Sequence, residues 1–248
     1  MRVIAVAGAK GGVGKTSIAV NIACWAACDG IATLLWDLDP QGSASHCLRV
    51  PPRRSGATQG LFGGKHNLDD HVCSSVHPDL DVVPADSDLR DIENVLARRK
   101  WPAKAIRKML QPVSEDYDLA VLDCPPGLGL LAEAAFSAAS VVVVPVVPSP
   151  LSARSLDQVG AFVEERGLDT DVLAVLSMVD RRKVLHNQML AALDGDDRFA
   201  TAVVPLSSAV ERMGLEQVPS VLSSPRSLGS KAIGDLWKGL RVSLDLGD

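Results

Sequence analysis

Residues 8–17 read GAKGGVGKTS, and the residue types in that stretch are those that hold phosphate. Glycines let the backbone turn tightly and aim consecutive N–H groups at an anion. A helix beginning there adds the positive end of its dipole. Lys15 is placed to meet the β- and γ-phosphates of a nucleotide, and the Thr16 hydroxyl to ligate Mg²⁺. The cradle is expected to comprise Gly11, Gly12, Val13, Gly14, Lys15, Thr16 and Ser17. Two details depart from the common spacing G-x-x-x-x-G-K-[ST]. Ala9 stands where the first glycine is usual, and a second lysine, Lys10, precedes the double glycine.

Metal-assisted phosphoryl transfer also needs carboxylates. Asp123 closes the apolar run LAVL and is expected to hold the metal together with Thr16. The residues after it, CPPG, form a rigid turn able to respond to the outermost phosphate, as switch segments do. A second acidic pair, Asp37 and Asp39, closes another apolar run in WDLDPQG. Strand alternation points both side chains the same way, with Asp39 further out. Asp39 is therefore expected to orient or activate the attacking water, and Asp37 to sit in the outer shell of the metal.

These residues need strands to carry them and helices to follow. Val3 to Ala7 reads as a short strand, residues 15–28 as a helix stopped by Gly30, and Ile31 to Trp36 as a second buried strand, together a βαβ unit. Residues 49–80 are rich in Pro, Gly, Arg and His and read as loop. Strands follow at 80–83, 119–122, 141–147, 172–178 and 201–204. Helical patterns occupy 88–110, 130–139, 152–166, 185–193 and 231–244. Pro102 is expected to break the first of these, whose second half is basic. Strands alternating with helices predict an α/β fold, a doubly wound, mostly parallel sheet flanked by helices, in one domain spanning residues 1–248.

Composition narrows the possibilities. Hydrophobic residues make up 47% and aromatics 4%, which suits a core of Val, Leu, Ile and Ala around parallel strands. The formal net charge of −5 gives no global attraction to nucleic acid, so DNA binding would need a local basic patch. Five cysteines without a C-x-x-C pair read as reduced thiols. His66, His71, Cys73 and His77 fit no common zinc spacing. There is no signal peptide and no apolar run long enough to span a bilayer, so the expected location is the cytoplasm.

Taken together, KGGVGKTS, DLDPQGSAS and LDCPPGLGLLAEAAFSAASVVVVPV resemble the ParA/MinD family of deviant Walker-A ATPases. VVPADSDL and TAVVPLSSAV extend the resemblance over nearly the whole chain. It implies ATP with Mg²⁺ as the bound nucleotide and metal, and hydrolysis to ADP and phosphate. It also assigns Lys10: the lysine before the double glycine reaches across an ATP-bound homodimer to the partner's phosphates, much as an arginine finger does. Gly11 would then lack a side chain so that two subunits can face each other, and Ala9 is no defect. Met178 and Pro205 are expected to flank the adenine.

The branches of the family imply different partners. MinD-like members end in a basic amphipathic helix. Here Ile233, Leu236, Trp237, Leu240 and Leu244 make an apolar face, but the tail ends with Asp245 and Asp248, which favours a helix docked on the core. Iron–sulfur carriers need paired interface cysteines, and Cys124 stands alone. Large partition proteins carry an N-terminal helix-turn-helix, whereas this chain begins at the first strand. What remains is a small ParA-like ATPase that binds DNA non-specifically as an ATP dimer, associates with the nucleoid, and is stimulated by a partner protein on its cargo. The candidate DNA-contacting cations are Arg181, Arg182, Lys183, Arg212, Arg226, Lys231, Lys238 and Arg241. The alternative is a DNA-independent, MinD-like regulator of a membrane, secretion or polysaccharide machine.

Overall fold

The computed structural model describes residues 1–53 and 56–247. Eight strands form one sheet in the order β3-β4-β2-β5-β1-β6-β7-β8. They are β1 (Arg2–Val6), β2 (Thr33–Asp37), β3 (Cys73–His77), β4 (Leu80–Val83), β5 (Leu119–Asp123), β6 (Val141–Val146), β7 (Asp171–Val179) and β8 (Phe199–Pro205). Every neighbouring pair is parallel except β3 and β4. The doubly wound, mostly parallel α/β sheet expected from the sequence is therefore present. Strands β2, β5 and β6 are buried along their whole length, which is why their sequences are continuous apolar runs rather than alternating ones.

The helices divide between the two faces. On one lie α1 (Lys15–Cys28), α2 (Ser43–Cys47), α9 (Ser208–Glu216), α10 (Ser220–Ser223) and α11 (Leu228–Ser243). On the other lie α3 (Ala57–Phe62), α4 (Ile92–Ala97), α5 (Ala105–Leu110), α6 (Leu130–Ala138), α7 (Pro150–Glu165) and α8 (Val184–Ala192). Helix α1 is apolar almost all round because it is sandwiched between the sheet and α11. The apolar face of α11 is spent on this contact: Ile233, Leu236, Trp237, Leu240 and Leu244 are all buried, and the Trp237 indole donates to Asp29 at 2.7 Å. The docked reading of that helix holds. Among the described residues no helix is long and apolar enough to cross a membrane.

Three local expectations need correction. Residues 49–80 are not all loop, because α3 and the antiparallel edge strand β3 lie there. Polar, half-exposed CSSVH gives no apolar run to read, and its pairing with β4 is what makes it a strand. The pattern over 88–110 is not one helix. It is a 3-10 turn at Ser87–Asp91, then α4, then a second 3-10 turn at Pro102–Lys104, then α5, with the break where Pro102 was expected to put it. Helices α2, α9 and α10 were not foreseen. The first and last are only five and four residues long, too short for a periodic signal.

Register places the chemistry. Val6, Asp123 and Asp37 are direct neighbours across β1, β5 and β2, at the carboxyl ends of those strands. In an open parallel sheet this is where ligands bind.

Candidate ATP site

The glycine-rich loop leaves β1 and enters α1. Its start is pinned to β6 and to the loop after β5: Ala7 N–H donates to the Val143 carbonyl at 3.0 Å, and Gly127 N–H to the Gly8 carbonyl at 3.4 Å. Gly12 and Gly14 take left-handed conformations, with φ of 70° and 91°. At Gly14 a Cβ would also stand 3.0 Å from Ser177 Oγ, so backbone strain and close approach both demand glycine. Lys15 is buried, and its ammonium donates to the Lys10 carbonyl at 2.7 Å. Burial pulls its pKa down, while the nearby carboxylates of Asp123 and Asp39 pull it up.

The acids converge on the same point. Asp123 is fully buried, and neither carboxylate oxygen has a donor in hydrogen-bonding geometry. Its pKa is raised, first by burial and next by Asp37 alongside it; the Thr16 hydroxyl and Lys15 act the other way. Asp37 is equally buried but well supplied with donors. Its carboxylate accepts from Ser45 N–H at 2.8 Å, Ser45 Oγ at 2.7 Å and Asp39 N–H at 3.2 Å. Asp39 is half-exposed and lies close enough to act electrostatically on both Lys15 and Asp123. A buried carboxylate with two unpartnered oxygens beside a threonine hydroxyl fits a hard cation. Among the described residues there is no group of three or more His, Cys, Asp or Glu that could cage a metal. Mg²⁺ suits the arrangement at Asp123, since it takes few protein ligands and completes its shell with phosphate oxygens and water.

Next to the loop opens a pocket of ≈ 270 Å³ whose lining includes Gly12, Gly14 and Ser17 on one side and Met178 and Pro205 on the other. The structure thus brings the two expected base-flanking residues to the phosphate loop. Met178 adopts a left-handed φ of 54°, uncommon for a bulky side chain, within the irregular stretch where the register of β7 on β8 shifts. Helix α9 supplies Val210 and Glu211. Buried Asn21 of α1 ties this side together, donating to the Ser17 carbonyl at 2.7 Å and accepting from Ser220 Oγ at 2.9 Å.

Sequence reasoning missed several site residues. Ser45, the main support of Asp37, could have been found from the GSAS that follows the acidic pair. Ser177 stands where the family often has Asn or Thr, while α9 carried no such signal. Nor did a clasp between α2 and α9. His46 Nε2 donates to the Gly214 carbonyl at 2.9 Å, Gln217 Nε2 donates to His46 Nδ1 at 3.0 Å, and Arg49 Nε donates to the Gln217 carbonyl at 3.0 Å. Arg49 and Gln217 both take left-handed backbones to make these contacts.

A family model described as an AAA domain matches residues 1–170. The chain is 30% identical over 247 residues to the sporulation initiation inhibitor protein Soj of Bacillus subtilis, covering 96% of this chain and 97% of that protein. It is 33% identical over 243 residues to the chromosome partitioning protein ParA of Caulobacter vibrioides, covering 94% and 91%. The chain belongs to the ParA/MinD family of P-loop ATPases. A crystal structure of cobyrinic acid a,c-diamide synthase from Mycobacterium smegmatis, with bound ATP analog and magnesium, is similar at 25% identity and a TM-score of 0.79, covering 97% of this chain and 95% of that one.

As a ParA/MinD-family member the protein hydrolyses ATP and uses Mg²⁺. When bound, the metal neutralises charge on the phosphate oxygens. The chain's own part is to position. The loop N–H groups and Lys15 can hold phosphate, and Thr16 and Asp123 can hold the cation.

Proposed function

We propose that this ATPase is a positioning switch. ATP closes two copies face to face, the dimer binds DNA without sequence preference, and a partner protein on the cargo triggers slow hydrolysis and release. Each nucleotide is held by Gly11, Gly12, Val13, Gly14, Lys15, Thr16 and Ser17, with the metal on Thr16 and Asp123 and Asp37 behind it. Asp39 orients the attacking water, and Met178 and Pro205 flank the adenine. All of these lie in one ATPase domain spanning the chain.

The observation that carries this reading is the tip of the phosphate loop. Gly11 is exposed, has no left-handed φ, and a Cβ built on it would meet nothing within 4 Å. Neither strain nor crowding within the chain gives that glycine a use beyond close approach to phosphate. A second subunit pressed against the tip has one, and Lys10 is the adjacent cation it would receive. The test is anisotropy of a random-sequence duplex with ATP, ADP or no nucleotide, alongside sizing of the protein. Dimerisation and DNA affinity that appear only with ATP, and are lost in Lys10→Ala, are expected. ATP turnover by a protein that stays monomeric in every state would sink the proposal.

A second reading, a DNA-independent regulator, draws support from the late basic residues. Arg182 pairs with Asp180, Arg212 with Glu216, Lys238 with Asp235 and Arg241 with Asp29. Half of the cations first considered for DNA are already neutralised.

A further inference from the structure

The most concentrated basic segment of this acidic chain lies elsewhere. Residues 98–108 hold six cations, Arg98, Arg99, Lys100, Lys104, Arg107 and Lys108, and residues 94–114 hold no Asp or Glu. The fold anchors the segment from both ends. Ile92 and Leu96 before it, and Ile106 and Leu110 towards its end, are buried in the core. Arg99 donates to the Phe62 carbonyl and Arg107 to the Ser137 carbonyl, so these two act as fasteners. The other four cations are exposed and make no ion pair with any described residue. Among them stands Trp101, 57% exposed, with the Lys100 and Lys104 ammonium groups 5.7 and 5.6 Å from its ring centroid.

We infer that residues 98–108 form the main DNA-facing surface of this protein, with Arg98, Lys100, Lys104 and Lys108 meeting the phosphates of duplex DNA. The inference rests on the DNA-binding reading above. Four uncompensated cations on a rigid turn repel one another, and a polyanion relieves that repulsion while releasing its own counterions. No carboxylate lies within the segment to repel phosphate, in contrast to the half-neutralised late cluster. A duplex suits this surface better than a lipid bilayer does. Membrane adsorption needs an apolar face, and here only Trp101 is large, apolar and exposed, flanked by ammonium groups, while α4 and α5 turn Ile92, Leu96, Ile106 and Leu110 into the core. The contacts are made to phosphate, so the surface positions without reading sequence.

The experiment compares three ATP-loaded proteins on a random-sequence duplex across a salt series: the wild type, Lys100→Glu/Lys104→Glu/Lys108→Glu, and Arg181→Glu/Lys183→Glu/Lys231→Glu. The first variant is expected to lose at least about tenfold in affinity and to show a salt slope shallower by about two to three, while the second loses less than about threefold. DNA-free ATP turnover is expected to match the wild type in both, which reports that they fold. Trp101 is the one exposed tryptophan, so wild-type emission is expected to change on adding duplex, and that change to vanish in Trp101→Phe. The inference is overturned if the first variant binds duplex like the wild type. It is also overturned if the emission responds to phosphatidylglycerol vesicles and not to duplex. Wild-type protein that hydrolyses ATP but binds no duplex in any nucleotide state removes the DNA-binding reading itself, an outcome distinct from both.

Discussion

The two ends of the ATP site are built differently. The phosphate end hangs from the central strands β1, β5 and β2, where Val6, Asp123 and Asp37 share one register. Its parts are backbone conformation and charge. The other end, where we propose the base sits, hangs from β7, β8 and α9, towards the sheet edge, and its parts are side-chain surfaces: Met178, Pro205, Val210 and Glu211 around ≈ 270 Å³. Errors at the first end are expected to be severe, because buried charge and left-handed backbone have no substitutes. At the second end neighbouring side chains can shift to compensate. The difference teaches where this protein tolerates change.

The sharpest break should come at Asp123. Replacement by Asn removes the anionic oxygen offered to the metal, and Mg²⁺-dependent hydrolysis is expected to fall by about 10³-fold in a phosphate-release assay. The same change should stabilise the nucleotide-free protein. Burial and Asp37 raise the Asp123 pKa above its unfolded value of about 3.9. The native state then holds the proton more tightly than the unfolded chain does. Without metal, stability should therefore rise as pH falls through the folded pKa, levelling off near the unfolded one. Asp123→Asn should flatten that dependence and raise stability near pH 7 by roughly 1–3 kcal/mol, read from denaturant midpoints. A lower midpoint in the variant would contradict the assignment of Asp123 as an unpartnered buried acid.

Gly14→Ala comes next. A side chain at φ 91°, 3.0 Å from Ser177 Oγ, is expected to cost roughly 1–3 kcal/mol and to weaken nucleotide binding by about tenfold or more in a titration. Ser45→Ala removes the 2.7 Å hydroxyl donor to Asp37 but leaves the backbone donor in place. A loss of about 1 kcal/mol in stability and roughly fivefold in turnover is expected, with nucleotide affinity nearly unchanged. The smallest effect should be at the base end. Met178→Gly relieves a left-handed side-chain position while removing one wall of the pocket. ATP affinity should drop about threefold, without loss of fold stability. A larger loss at Met178 than at Gly14 would invert the comparison.

The same contrast explains what the sequence let one read. Glycines, a lysine, and acids at the ends of apolar runs are local statements: Gly12 and Gly14 take left-handed backbones, and Asp37 and Asp123 close β2 and β5. The continuous apolar strands were equally plain because both of their faces are buried. Edge strand β3 was not, since its polar CSSVH is a strand only by virtue of pairing with β4. Asp39 and Asp37 were read as alternating neighbours, but what distinguishes them, the donors from Ser45, depends on where α2 packs. The clasp of His46 and Arg49 on α9 joins residues more than 160 positions apart, and nothing in either stretch announces the other.

That clasp ties the two ends together. Helix α2 begins beyond Asp39 and holds Asp37 through Ser45, while α9 walls the base pocket, and Gln217 and His46 fasten one to the other. On the proposed reading, seating of the base and setting of the acids are expected to be linked equilibria. Whatever the base then contributes to binding the outer phosphate, the outer phosphate contributes to binding the base. On that reading, loss of that phosphate is expected to loosen the grip on adenine, and His46→Ala to narrow the difference between ATP and ADP affinities.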